Sequence, residues 1–303
     1  MKAGLALSIA AAALGFAQGC GGDFDPGSRV TDLRVLAVRA DAPYAVPGQN
    51  VHLEALVVDP RDRELNWAWG LCINPASSTA PGCVAALDAS TVIIESGRST
   101  FDFALPDDVI TSVPAAAEAH ASVGAVVVVC PGALSRQGGS IPFQCVDPAE
   151  GRALETDAFV VGVKRIFART ADKNENPVIA EVRWDGADWP EAEVKDVVPC
   201  DESGNDYGAC TANEQHLITV NVPEASTESG VDSFGAAFRE QLVVQYYATE
   251  GIFEHDVRLS SDTATGWVAR RPAAGRTVQM WFVVRDDRGG VAWEERQVRV
   301  ATR

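Results

Sequence analysis

Positive charge is what this chain has least of. Its 303 residues hold 25 lysines and arginines against 42 aspartates and glutamates, a net charge of -17. A field of that sign repels phosphate backbones and anionic lipid surfaces, which argues against a nucleic-acid partner. Long amphipathic helices are missing, because apolar residues rarely recur at i, i+3, i+4 and i+7. So are the common catalytic signatures: there is no Gly-x-Ser-x-Gly, no Walker loop and no His-Glu-x-x-His. Zinc-type Cys-x₂₋₄-Cys and His-x₃₋₅-His spacings do not occur. Beyond residue 19 no run approaches a membrane span, since the most apolar one, 113–130, is broken by Pro114, Glu118 and His120. What is present is apolar material, 47% of the chain, enough to fill the cores of about two domains of ~150 residues.

The N-terminus carries the first positive signal. Lys2 precedes an uncharged Ala/Leu-rich stretch that ends near Ala17, shorter than the ~20 residues of a permanent span. Small residues then lead to a cysteine, Ala17-Gln18-Gly19-Cys20. This resembles the lipobox of bacterial lipoproteins, whose cysteine sulfur takes a diacylglyceryl group before cleavage. The resemblance implies that residues 1–19 are a cleaved signal peptide and that Cys20 is lipidated. It also implies a cell-envelope location with the membrane as a partner. Gly21, rather than Asp, follows the cysteine, which implies the outer membrane in a cell with two. Cysteine parity agrees: the total is seven, and setting Cys20 aside leaves Cys72, Cys83, Cys130, Cys145, Cys200 and Cys210 in three close pairs.

Residues 20–28 form a short Gly/Asp tether, so the first domain is expected beside the lipid and the second beyond it. From Val30 the chain reads as strands divided by turn residues. Val51, Leu53 and Val57 alternate with His52, Glu54 and Leu56, and Leu65, Trp67 and Trp69 share one face, the period of a half-buried strand. Further strands are expected at 91–95, 100–105, 123–130 and 159–169. The polar stretch 170–177 divides a first domain, 29–169, from a second, 178–303. There, strands are expected at 178–184, 217–222, 242–247, 252–259, 266–269, 277–285 and 291–300. Val231, Phe234 and Phe238 fall at helical spacing and suggest a short helix. Many short strands with Gly/Pro turns indicate antiparallel sandwiches.

Pro47-Gly48 with Val51-His52-Leu53-Glu54-Ala55 and Trp67-Ala68-Trp69 resembles the opening strands of bacterial Ig-like and PKD-like modules. The run from Phe282 to Val291 and on to Val300 is similar to their last hairpin. The resemblance implies an all-β protein of two tandem antiparallel Ig-like sandwiches. In such a sheet the strands ending at Cys72 and Cys130 run antiparallel, which sets those sulfurs too far apart for a ~6 Å Cα span. Local bridges Cys72–Cys83 and Cys130–Cys145 follow, and Cys200–Cys210 pair alone in the second domain.

The region 181–206 holds nine acids (Glu181, Asp185, Asp188, Glu191, Glu193, Asp196, Asp201, Glu202, Asp206), with Trp184 and Trp189 among them. Trp189, Asp201, Glu202, Asn205 and Asp206 are therefore the candidate binding loop. Asp201, Asn205 and Asp206 offer a Ca²⁺ alternative, although the spacing misses the calcium-loop rule. No other cofactor or metal is expected. No catalytic residue is expected either: His52 lies on the polar strand face, and strand alternation turns His255 away from Glu254 and Asp256. Trp67 and Trp69 read as core. The expected function is a non-enzymatic binding, adhesion or assembly module meeting a protein or glycan of the envelope. A carbohydrate-binding surface lipoprotein is the alternative, and a hydrolase a third.

Overall fold

The computed structural model describes residues 26–73, 82–83, 87, 93–96, 98–111, 120–136, 143–155, 158–170, 173–201, 204–231 and 235–302. The 1–19 leader, Cys20, most of the 20–28 tether, Glu202 and Phe234 lie outside the described residues.

The first sandwich comprises β1 (Arg34–Ala40), β2 (Tyr44–Ala45), β3 (Asn50–Val58), β4 (Asn66–Ile73), β5 (Ile93–Ser96), β6 (Thr100–Ala104), β7 (His120–Cys130), β8 (Ala133–Arg136), β9 (Phe143–Val146) and β10 (Val160–Arg169). A sheet ordered β1-β3-β6 faces one ordered β2-β10-β7-β4-β5, and β8-β9 is an added hairpin. The second comprises β11 (Glu181–Trp184), β12 (Ala187–Asp188), β13 (Val194–Val197), β14 (Gln215–Asn221), β15 (Ser229–Val231), β16 (Ala237–Arg239), β17 (Val243–Ala248), β18 (Ile252–Phe253), β19 (Val257–Leu259), β20 (Thr265–Val268), β21 (Thr277–Arg285) and β22 (Val291–Val300). Its sheets are β12-β11-β14-β20-β18 and β13-β22-β21-β17-β19. Pairing is antiparallel except where β2 joins β10 and β13 joins β22 in parallel. In each unit the chain's opening strands divide between the two sheets, and the Greek-key order is that of Ig-like sandwiches.

Two expectations change. The expected helix is a hairpin, because Ser229 pairs with Arg239 and Val231 with Ala237; two glycines in the window remove the helix's advantage. The expected strand 252–259 is split, since β18 pairs with β20 and β19 with β17. The 254–256 bend between them lies outside any strand, so alternation does not govern His255. Residues 173–177 are tied to both sandwiches. Asn174 is buried, while Asn176 donates to the Ala40 carbonyl at 2.7 Å and accepts from the Val291 amide at 2.9 Å.

β7 is apolar on both faces for a reason. Val123, Ala125, Val127 and Val129 join Trp67 and Trp69 in the first core. Val126 and Val128 point the other way, into a second cluster with Ala68, Cys72, Cys83 and Phe143 of β9. The hairpin thus covers the sheet's outer face.

The two sandwiches dock through the outer faces of their sheets. Leu36, Ala37, Leu56 and Val58 pack with Trp281, Val283 and Val291 in one buried cluster, and Tyr247 and Trp293 adjoin it. On β21, Val278, Met280, Phe282 and Val284 face the second core, so Trp281 and Val283 are free to face the first sandwich. A register shift between Val35 and Ala37 makes Leu36 the extra residue of a bulge, and bulges re-aim side chains. The Leu36 carbonyl accepts from Arg285, and the Lys164 ammonium donates to the Gly289 carbonyl. The Arg39 guanidinium lies 4.3 Å from the Trp293 ring centroid.

The three bridges close Cys72–Cys83, Cys130–Cys145 and Cys200–Cys210, with Cα separations of 5.4, 5.9 and 5.6 Å. Cys72 sits opposite Gly124 and Cys130 opposite Asn66, six residues apart along β4, so a Cys72–Cys130 bridge has no geometry. A Cβ on Gly124 would lie 2.4 Å from both sulfurs of the first bridge. Gly124→Ala should therefore cost roughly 1–3 kcal/mol by overpacking, read by urea unfolding with the bridges intact. No loss would mean that the bridge does not rest on that backbone.

Burial pushes the Lys164 ammonium down to about 8, with Asp286 opposing the shift and Arg285 adding to it. Below pH 8 both folded and unfolded chains carry its proton. Between there and the ordinary value of 10.5 only the unfolded chain does, so folding becomes more favourable as pH rises. Wild-type stability relative to Lys164→Met should climb by about 3 kcal/mol across that window. A flat difference in pH-resolved denaturation curves would place Lys164 in solvent.

Candidate functional site

The candidate loop is built around Cys200–Cys210, which holds the 3-10 turn Tyr207–Ala209 against the outer face of β20. Tyr207 lies over Gly266, where a Cβ would come 2.1 Å from its hydroxyl. Burial raises the Tyr207 pKa, and the charges of Glu254 and Asp185 add to that. The Asp206 carboxylate caps the turn, accepting from the Gly208 amide at 2.9 Å. Asn205 Oδ1 accepts from Arg29 Nη2 at 2.6 Å and from Arg270 Nη1 at 3.1 Å. Glu250 completes the cluster, 2.8 Å from Arg270 Nε and 3.6 Å from Arg29 Nε.

The expected binding-loop residues do not share one surface. Trp189 is fully buried, stacked edge-on to Trp184 at 4.8 Å and donating its indole N–H to the Glu193 carbonyl at 2.8 Å. Asn205 is half-buried and held by Arg29 and Arg270, Asp206 is exposed and caps the turn, and Asp201 is exposed with an interaction of its own. A cation bound to Asn205 would meet two guanidinium groups. Among the described residues no group of three or more His, Cys, Asp or Glu is placed to hold a metal ion.

The other acids of 181–206 are dispersed. Asp185 and Gly186, at φ 51° and 81°, form a two-residue hairpin turn between β11 and β12, the geometry that favours Asp-Gly. That dipeptide was the legible signal for a hairpin. Asp185 also accepts from the Leu217 amide at 2.7 Å and pairs with His216 Nδ1 at 2.9 Å. His216 stacks on Trp184 with ring centroids 4.6 Å apart. His52 is exposed and pairs with Asp102 at 2.7 Å.

All seven tryptophans are inside or at the seam. Trp67, Trp69, Trp184, Trp189, Trp267 and Trp281 are buried, and Trp293 packs against the inter-sandwich cluster. The carbohydrate alternative therefore has no exposed indole platform to rest on.

The seam opens into a cleft where the linker crosses it. About 360 Å³ is lined by Tyr44, Arg169, Lys173, Glu228, Phe238 and Arg288 among others. The Tyr44 ring lies between two guanidinium groups, Arg169 at 4.9 Å and Arg288 at 4.8 Å. Arg288 also covers Phe238 at 4.5 Å, pairs with Glu228 at 2.8 Å and Glu240 at 3.0 Å, and donates to the Lys173 carbonyl. Burial raises the Glu240 pKa. In a strongly acidic protein this is a concentration of cationic and aromatic groups, shaped by both sandwiches.

No family model and no curated protein matches the chain. Among solved structures, the tandem Ig repeats of Dlar align over 90% of this chain and 100% of that one, with 8% identity and a TM-score of 0.27. The D0-D1 domain of intimin covers 87% and 98%, with 12% identity and a TM-score of 0.22. The two tandem V-type regions of VCBP3, a v-region-containing chitin-binding protein, cover 88% and 100%, with 11% identity and a TM-score of 0.24. The Ig-like assignment rests on strand order and pairing in the chain itself.

Asn205→Ala should destabilise the protein by about 1–3 kcal/mol, because two guanidinium donors lose their shared acceptor. Thermal unfolding measures it, and a neutral result would remove the loop's bracing role.

Proposed function

We propose that this chain is an exported, lipid-anchored protein of the cell envelope that binds a partner rather than transforming one. The observation that carries the reading is that the six cysteines after Cys20 are all closed into bridges within one or the other sandwich. Such bridges persist in oxidising compartments, and none of those thiols is left to pair with Cys20. That leaves the cysteine behind the apolar leader for another chemistry, and lipidation fits its setting. Two chains on one residue hold a protein at a membrane where one would not. Gly21 supports the outer membrane in a two-membrane cell.

The binding role is supported by the architecture. Two Ig-like sandwiches are fixed against each other, their loops are braced by bridges, and a cleft crosses the seam. The partner is a protein or glycan of the envelope.

The test is metabolic labelling with palmitate, followed by fractionation and intact mass measurement. The wild type should carry lipid on Cys20 and sediment with membranes. Cys20→Ser should lose both label and sedimentation while keeping its melting temperature. An unlipidated Cys20 in the native protein would overturn the reading.

A further inference from the structure

The point at which the chain enters the fold sets how an anchored molecule would stand. Ser28, Arg29 and Val30 are buried and pair with the end of β17: the Val30 amide donates to the Ala248 carbonyl at 2.8 Å, and the Ala248 amide to Ser28 at 3.0 Å. Arg29 is held by Asn205 and Glu250 as described. The described chain therefore joins the fold at the second sandwich, although the next strand, β1, belongs to the first.

Strand polarity shows which pole this is. Arg34 pairs with Val58, so the start of β1 adjoins the 59–63 turn, where Arg61 pairs with Asp32. In the second sandwich Ala248 pairs with Met280, toward the start of β21, and Gln215 pairs with Val268. The Cys200–Cys210 loop and the 270–276 turn lie at that same pole. The opposite pole carries the linker, the 286–290 turn, the β15-β16 hairpin and the Tyr44–Arg288 cleft. Ten-residue β10 runs between poles, a length of ~33 Å.

We propose that the lipid anchor holds both sandwiches side by side, with the 59–63 turn and the Cys200–Cys210 loop next to the bilayer and the cleft facing away. This differs from the expected order in which the first domain lies by the lipid and the second beyond it. The proposal rests on lipidation of Cys20. The seven residues 21–27 span at most ~25 Å even when fully extended, so the near pole stays within reach of the surface. The net charge of -17 repels the rest of the body from anionic headgroups.

The experiment uses the full lipidated protein in phosphatidylethanolamine/phosphatidylglycerol vesicles that carry a headgroup-linked energy acceptor. A donor dye is attached to one introduced thiol at a time: Arg61→Cys and Gly204→Cys at the near pole, Asp108→Cys and Ser229→Cys at the far pole. All four positions are exposed, and unchanged melting temperatures verify the fold. Transfer should be several-fold stronger from positions 61 and 204 than from 108 and 229. Equal transfer from all four, or the reverse order, on protein whose mass shows lipid at Cys20 would overturn the orientation alone. Absence of that lipid mass would overturn the orientation and the anchored reading together.

Discussion

Everything else in this molecule depends on one contact, the packing of Trp281 and Val283 on the outer face of the first sandwich. A sheet in a sandwich normally has one wet face, and its strands alternate accordingly. β21 does not alternate, because both of its faces are covered: one by its own core, the other by Leu36, Ala37, Leu56 and Val58. The bulge in β1 follows from the same demand. A regular β1 could not send Leu33, Val38 and Ala40 into the core while turning Leu36 and Ala37 both outward. The extra residue changes phase at the seam.

Polar groups at the seam are there on terms the apolar contact sets. Lys164, Arg285, Asn174 and Asn176 lose solvent when the sheets meet, and buried polar groups need partners. Lys164 finds the Gly289 carbonyl, Arg285 the Leu36 carbonyl, and Asn176 both Ala40 and Val291. These bonds run from side chain to backbone, so they specify position rather than merely charge. A slip of either sheet by one residue would strand them. Asn174 and Asn176, in the polar stretch after the first sandwich, sit at the interface for this reason.

The strand content was legible because period-two alternation and turn residues report it directly. Thr277–Arg285 and Val291–Val300 have in the fold the bounds expected from the residues alone. The seam was not legible, although its sign was in view. Leu56 stands where the outer face of β3 should be polar, beside exposed His52, and Trp281 occupies the outer face of β21. Each residue taken singly reads as an ordinary apolar exception. Only the fold shows the two exceptions touching. The helix expected around Val231 failed for the converse reason: three apolar residues at helical spacing outweighed Gly230 and Gly235, and a two-stranded hairpin uses those glycines better.

In the acidic loop, composition does not show which neighbours the side chains meet. Acids and a tryptophan beside a disulfide suggest a recognition surface, yet the deciding neighbour is Arg29, 176 residues away along the chain from Asn205. Two guanidinium groups, Arg29 and Arg270, lie nearly out of solvent. Desolvating them is costly unless oxygens surround them, and Glu250 with Asn205 supplies the fixed part of that shell. The loop must therefore be held in one place, which is what the Cys200–Cys210 bridge and the Tyr207 packing on Gly266 accomplish. Asn205 turns inward, toward the entering chain, while Asp201 and Asp206 stay exposed. At the opposite pole Tyr44, Lys173 and Arg288 meet across the seam.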